Sequence, residues 1–295
     1  MKNILECIKS GKIITSDGAM GSLLFQRGLQ PGQCPEALNL SNPEILEEIA
    51  KQYFEAGAEI VQTNTFGGSP LKLAEYNLEQ KAAEINRAAV QCVRNSIGED
   101  AWLSGSCGPS GKILLPFGDT EPEAMAESFA VQMAALIEAG ADLICVETMT
   151  DINEAVIAVK AARNVSAQIP VMAAMTFNQT PNGFFTGMGN SAAEAATQLQ
   201  EAGADIIGSN CGNGIDNMVL IAEEFSRASE LPIIIQSNAG LPELVSGEMV
   251  YPETPAVFAE KVHMLKEAGV SIIGGCCGTT PEHIRAIRKA VEDQS

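Results

Sequence analysis

The chain has 295 residues, 46% of them hydrophobic and only 5% aromatic, and 37 acidic side chains against 18 basic ones give a formal net charge of −19. A surface of that sign repels phosphate backbones and anionic lipid, which excludes nucleic acid and membrane as partners. No apolar run reaches the roughly 18 residues a bilayer span needs, "MKNILECIKSGK" lacks a signal-peptide pattern, and eight irregularly spaced cysteines read as reduced thiols of a cytoplasmic protein.

In chain order, the first strand candidate is "KIITSDGAMG" (12–21), followed by an irregular stretch at 28–44. Next comes "FEAGAEIVQTN" (54–64), whose grammar returns in "IEAGADLICVET" (137–148), "QEAGADIIGSN" (200–210) and "KEAGVSIIGGC" (266–276). Each is a helix end, a glycine suited to the left-handed C-cap, a short link, an apolar run, then polar residues. The glycines at 57, 140, 203 and 269 are 83, 63 and 66 residues apart, too long for one strand–helix unit and right for two. "AWLSGSCGPS" (101–110), "IPVMAAMTF" (169–177) and "LPIIIQSNAG" (231–240) supply the strands between. "PEILEEIAKQYFEA" and "SAAEAATQLQEA" have helical spacing, and 176–191 reads as irregular.

Eight apolar, non-alternating strands separated by helices imply a parallel sheet buried on both faces. Eight such units predict a single α/β domain over residues 1–295, a (β/α)8 TIM barrel with its active site at the C-terminal ends of the strands. An open doubly wound sheet is the alternative, but "DGAMGS" lacks the glycine spacing of a dinucleotide turn.

The strand ends carry Asp17, Asn64, Thr65, Cys107, Glu147, Thr176, Asn210, Cys211, Ser237, Asn238, Cys276 and Cys277. Cys211 ends strand six, and the adjacent pair Cys276–Cys277 ends strand eight. Gly274, Gly275 and Gly278 give the backbone freedom to bend until both neighbouring sulfurs face one ion. Three thiolates select zinc and leave a fourth position open. Buried thiols packed in a glycine-rich turn are the plainer alternative. Cys145, Cys7 and Cys92 read as packing, Cys34 as a loop cysteine of unknown use, and Cys107 as a strand-end residue for which a role in the site mouth is the lesser alternative. His263 and His283 fall in helical segments away from the strand ends and take no role. Zinc held by three thiolates has a formal charge of −1, a poor Lewis acid for hydrolysis but able to make an incoming thiol a nucleophilic thiolate.

"SDGAMGSLL", "AGAEIVQTNTFGG", "GSCGPSG", "ADLICVETMTDINEA", "GSNCGNG" and "IIGGCCGTTPEHI" resemble the homocysteine S-methyltransferase family. The closest likeness is to the homocysteine-binding barrel of cobalamin-dependent methionine synthase, and it covers nearly the whole chain. The resemblance implies zinc on Cys211, Cys276 and Cys277. It implies that Asp17 and Glu147 hold the homocysteine amino group, with backbone amides of "DGAMG" near the carboxylate. Asn238 is implied as an oxygen ligand of zinc when no thiol is bound.

Methionine synthases continue into folate and cobalamin domains, and the betaine-using relatives carry a C-terminal extension; neither is within these 295 residues. The likeness of "GGCCGTTPEHI" to methionine synthase implies a methyl-corrinoid (methylcobalamin) on a separate protein as donor, with S-methylmethionine or another small sulfonium or ammonium compound as the alternative; if the 295 residues are a piece of a longer protein, the further domains belong to the rest of it. A zinc- or thiol-binding subunit of a split complex, without turnover, is the reading from a different class. A metal-dependent hydrolase would want histidine and carboxylate ligands at the strand ends, where no histidine falls.

Overall fold

The apolar runs become eight parallel strands in a computed structural model that describes residues 3–245 and 248–293. They are β1 (Ile14–Thr15), β2 (Ile60–Gln62), β3 (Trp102–Cys107), β4 (Leu143–Met149), β5 (Val171–Met175), β6 (Ile206–Asn210), β7 (Ile233–Ser237) and β8 (Val270–Gly275). Neighbours in sequence are neighbours in space, and β8 returns to β1 through the pairs Ile14–Ile272 and Thr15–Ile273. Between β1 and β2, Ser16 bridges Ile60 and the Asp17 amide donates to the Ile60 carbonyl. That closes the ring. The fold is the (β/α)8 barrel expected from the repeated phrases.

Strand alternation splits the apolar residues into two cores. Ile14, Ile60, Leu143, Ile206, Ile234 and Ile272 fill the lower interior, where Ile4 and Ile8 of the first helix (Ile4–Lys9) pack against them as a plug. Val61, Leu103, Ile144, Ile207 and Ile235 belong to the second core, under the surrounding helices. Coverage on both faces is why the strands read as unbroken apolar runs.

Gly57, Gly140, Gly203 and Gly269 have φ of 101°, 104°, 102° and 86°, the left-handed caps that the repeated phrase predicts. Their amides bond back to Phe54, Ile137, Gln200 and Lys266 at the helix ends. A side chain at such a φ costs roughly 1–2 kcal/mol. With these turns compact, the long connections all fall at the opposite, C-terminal end of the strands.

The stretch 176–191 differs from expectation. It holds an antiparallel hairpin, Asn178–Thr180 against Gly183–Phe185, turned through Pro181 and Asn182 into Gly183 (φ 116°). A Pro-Asn-Gly run is a turn signal in its own right, obscured here by strands too short to alternate visibly. A second hairpin pairs Glu243–Val245 with Glu248–Val250 in the loop after β7. No helix among the described residues is long and apolar enough to cross a membrane.

Candidate active site

Cys211 leaves β6, and Cys276 and Cys277 leave β8, with β7 between them. The three sulfurs lie within 4.8 Å of one another, Cys211 and Cys277 being 3.8 Å apart. The bend that brings two adjacent cysteines to one place is built by hydrogen bonds. The Cys276 amide donates to the Ser237 carbonyl (2.7 Å), and the Cys276 carbonyl accepts from both the amide and the hydroxyl of Thr279. Gly278 takes a positive φ of 79°, as expected, but Gly274 and Gly275 do not. Those two are required for close approach instead. A Cβ on Gly275 would sit 2.3 Å from Thr279 Oγ1, and one on Gly274 2.8 Å from the Ser16 Cβ. Cys211 itself is left-handed (φ 59°), a conformation that a non-glycine residue adopts only when its surroundings impose it. Its amide donates to the Gln236 carbonyl across the sheet.

The thiols of Cys276 and Cys277 share their protons with Cys211. Those hydrogen bonds hold Cys211 well below the ordinary thiol range and push its two neighbours up. A cation at this point lets the remaining protons leave. Asn238, 4% exposed, has a side chain close enough to Cys211 to help lower that thiol, and its Oδ1 has no hydrogen-bond partner among the described residues. Three sulfurs and a spare buried carbonyl oxygen are a donor set that fits a soft divalent ion such as zinc and suits calcium or magnesium poorly.

The sulfurs border a cavity of about 360 Å³ that Asp17, Glu147 and Gln236 also line. Asp17 accepts from the Gln62 amide (2.7 Å) and the Ser16 hydroxyl, while Glu147 accepts from Ser106 Oγ and Asn210 Nδ2. Burial, with the Glu147 charge adding to it, pushes Asp17 up to about 7. Burial also raises Glu147 to about 7, Cys211 contributing through its charge. Neither carboxylate belongs to an ion pair among the described residues. Two buried acids without a cation are suited to a ligand that brings one.

Three residues given no role from sequence belong to this arrangement. Asn210 clamps the turn after β4: its Oδ1 accepts from the Thr148 amide (2.7 Å) and its Nδ2 reaches Thr148 Oγ1 and Glu147. Thr148 is left-handed (φ 59°), and the clamp holds it there. Ser106 sits on the inward side of β3 and could have been found by counting alternate positions back from the strand end. Tyr251 follows the second hairpin. Its ring lies on the Gly278 turn, where a Cβ would come within 2.1 Å of it, and that places the side chain beside Cys277. Nothing in the local spacing marks it.

The remaining candidates separate cleanly. Cys107 points away from the cavity into the helix-side core, its sulfur 3.3 Å from Gln132 Oε1, so its place at a strand end does not bring it to the mouth. Cys145 packs inside the barrel, Cys92 beneath the helices and Cys7 against the lower plug. Cys34 is buried and donates to Glu36. His283 stands nearer the mouth than expected, in the first turn of the last helix (Pro281–Glu292). There its Nδ1 accepts from the Thr280 amide and its Nε2 meets the Glu253 carbonyl, a structural cap.

Residues 14–291 match the family described as homocysteine S-methyltransferase, and the chain belongs to it. Methionine synthase of Mycobacterium tuberculosis is 33% identical over 303 residues, covering 96% of this chain and 25% of that protein. Methionine synthase of Mycobacterium leprae is 33% identical over 299 residues, with 95% and 24% covered. The chain thus spans about a quarter of the length of these relatives. Among solved structures, the homocysteine methyltransferase MmuM from Escherichia coli in its metallated form superposes with a TM-score of 0.79 at 22% identity, covering 96% of this chain and 98% of that one. Its oxidized form gives 0.77 at 23% identity, with full coverage of both. At these identities the likeness is one of fold.

Proposed function

We propose that this barrel binds homocysteine, holds it as a thiolate and passes a methyl group to its sulfur, giving methionine. The observation that carries the reading is one cavity bordered by both a three-thiol cluster and two buried carboxylates that pair with no cation among the described residues. Homocysteine carries both complements, a thiol and an ammonium. Cys211, Cys276 and Cys277 are the residues to hold zinc, with Asn238 as an oxygen donor in the substrate-free protein. Bound there, the ion supplies a lowered thiol pKa without quenching the sulfur as a nucleophile.

The protein's own groups do the rest. Asp17 and Glu147 receive the ammonium, and its positive charge offsets the burial that otherwise favours their protonated forms. Gly18, Ala19, Met20, Gly21 and Ser22 border the same cavity, on the side suited to the substrate carboxylate. The Ala19 amide is already bonded to Thr279 Oγ1, which leaves its neighbours for that task. Asn210 and Ser106 keep Glu147 aimed, so the sulfur is oriented from its far end.

A donor delivered by another protein surface, a methyl-corrinoid, is favoured by the loops around the mouth. Phe66 borders the cavity at 41% exposure, Phe117 in the loop after β3 is 79% exposed, and Leu244 and Met249 after β7 are 72% and 59% exposed. Such side chains suit a protein partner more than a small polar sulfonium. The test is a donor screen with zinc-loaded protein and homocysteine, reading methionine by mass spectrometry. Methyl transfer from free or protein-bound methylcobalamin supports the reading. Transfer from S-methylmethionine alone assigns the small donor, and no transfer from any donor leaves a binding subunit.

A further inference from the structure

Seven buried side-chain oxygens among the described residues lack a hydrogen-bond partner, on Thr15, Glu79, Asn86, Ser104, Ser209, Gln236 and Asn238. Only one of these residues, Gln236, lines the cavity shared by the three cysteines and the two acids. Its side chain is placed with care. Gln236 is the fourth residue of β7, in register with Asn210 on one side and Gly274 on the other. The absence of a side chain at Gly274 leaves it room: a Cβ there would stand 3.3 Å from the Gln236 Cγ. The residue is 2% exposed. A carbonyl oxygen sealed from solvent with no donor loses free energy on folding, and native proteins keep few of them without a use.

Counting donors on the proposed substrate gives that oxygen a use. A primary ammonium has three N–H bonds, and its tetrahedral geometry sends them in three directions. Asp17 and Glu147 account for two. We propose that Gln236 Oε1 accepts the third, making Gln236 a substrate-positioning residue that completes the ammonium site and selects primary α-amino thiols. This inference rests on the assignment of Asp17 and Glu147 to the ammonium. A neutral acceptor is the sensible third group, because a third carboxylate in this space would add to a repulsion the two acids already feel.

The selectivity follows directly. A thiol with no amino group, such as 4-mercaptobutanoate, never meets Gln236, and N-methylhomocysteine offers two N–H bonds in place of three. The experiment is calorimetric titration of the zinc-loaded protein and two variants with L-homocysteine and with 4-mercaptobutanoate. Gln236→Met keeps size and removes the acceptor; Gln236→Asn keeps a neutral carbonyl acceptor on a side chain one methylene shorter. Zinc content and melting temperature, measured on each, report folding. Gln236→Met is expected to bind homocysteine about tenfold more weakly and 4-mercaptobutanoate unchanged, with Gln236→Asn falling between Gln236→Met and the parent. Equal weakening of both thiols by Gln236→Met makes its role one of shaping the barrel and overturns the proposal. So does Gln236→Met binding homocysteine as tightly as the parent, since a lost acceptor must cost affinity. Glu147→Gln in the same titration keeps the two assignments apart. If it discriminates between the thiols and Gln236→Met does not, the ammonium site stands and Gln236 is not part of it. If neither discriminates, the ammonium site itself is wrong.

Discussion

The two ends of this barrel follow different rules. At the N-terminal end, helix passes to strand four times by one device, a left-handed glycine at 57, 140, 203 or 269 and a short link. At the C-terminal end no two strands leave alike. There the left-handed backbone falls on Thr148 and Cys211 as well as on glycines such as Gly278, two cysteines share one bend, and two acids are buried without a cation among the described residues. Where the chain only has to turn, glycine removes the strain. Where it has to present a side chain, the strain and the buried charge are kept and held by neighbours such as Asn210 and Thr279. Stability and chemistry are thus assigned to opposite ends, and substitutions at the two ends should fail in different ways.

The largest expected effect is at the mouth. Cys277→Ala should lower zinc affinity on the order of a hundredfold or more and abolish methyl transfer, while far-ultraviolet circular dichroism stays that of the parent, because neither core uses the metal. Stoichiometric zinc in the purified variant, by elemental analysis, would place the metal elsewhere. Glu147→Gln should weaken homocysteine about ten- to a hundredfold and leave zinc content unchanged, as loss of one charge-assisted hydrogen bond predicts. Equal weakening of 4-mercaptobutanoate would show that Glu147 shapes the pocket and does not meet the ammonium.

The same substitution should have the opposite sign for stability. Asp17 and Glu147 titrate near 7 when folded, against 3.8 and 4.5 ordinarily. An unfolded chain therefore releases these protons near pH 4, and the folded one holds them to about pH 7. Between those values the unfolded state binds fewer protons, so the pair makes stability fall as pH rises from about 4 to about 7 and level off above. Glu147→Gln removes one of the groups. It should match the parent near pH 4 and exceed it by about 3 kcal/mol at pH 8, measured by denaturant unfolding of both proteins in the same metal state. A variant less stable than the parent at pH 8 would mean that Glu147 is held as a well-compensated anion.

The smallest effect belongs to the other end. Gly140 has φ 104° with open space where a Cβ would go, so Gly140→Ala changes the backbone preference and nothing else. It should cost roughly 1 kcal/mol of stability and leave turnover at saturating substrate intact. A change in turnover at constant zinc content would show that the two ends are coupled.

The same division decides what could be read from the sequence. The lower end repeats, and repetition is visible: "EAG" followed by an apolar run marks a cap and a strand each time. The mouth does not repeat, so only residues with distinctive chemistry stand out there. Cys211, Cys276 and Cys277 could be picked by type and strand-end position, yet the same rule drew attention to Cys107, which faces the helices. Which way a strand's last residue points depends on where pairing stops, and that is a property of the neighbours. Asn210, Ser106 and Gln236 are ordinary polar residues whose meaning comes from register across β3, β4, β6 and β7. Tyr251 reaches the cysteines from a loop built on a hairpin of three-residue strands, a distance that local patterning does not encode.

The central claim is that homocysteine sulfur joins the three cysteine sulfurs at one zinc ion. Zinc-edge X-ray absorption, recorded on the zinc-loaded protein before and after adding L-homocysteine, counts those sulfurs directly. The account predicts three sulfurs and one lighter ligand before addition, and four sulfurs after it. The count should return to three in the presence of homoserine, which has a hydroxyl where homocysteine has its thiol. A sulfur count unchanged by saturating homocysteine would contradict the account, whatever the affinity.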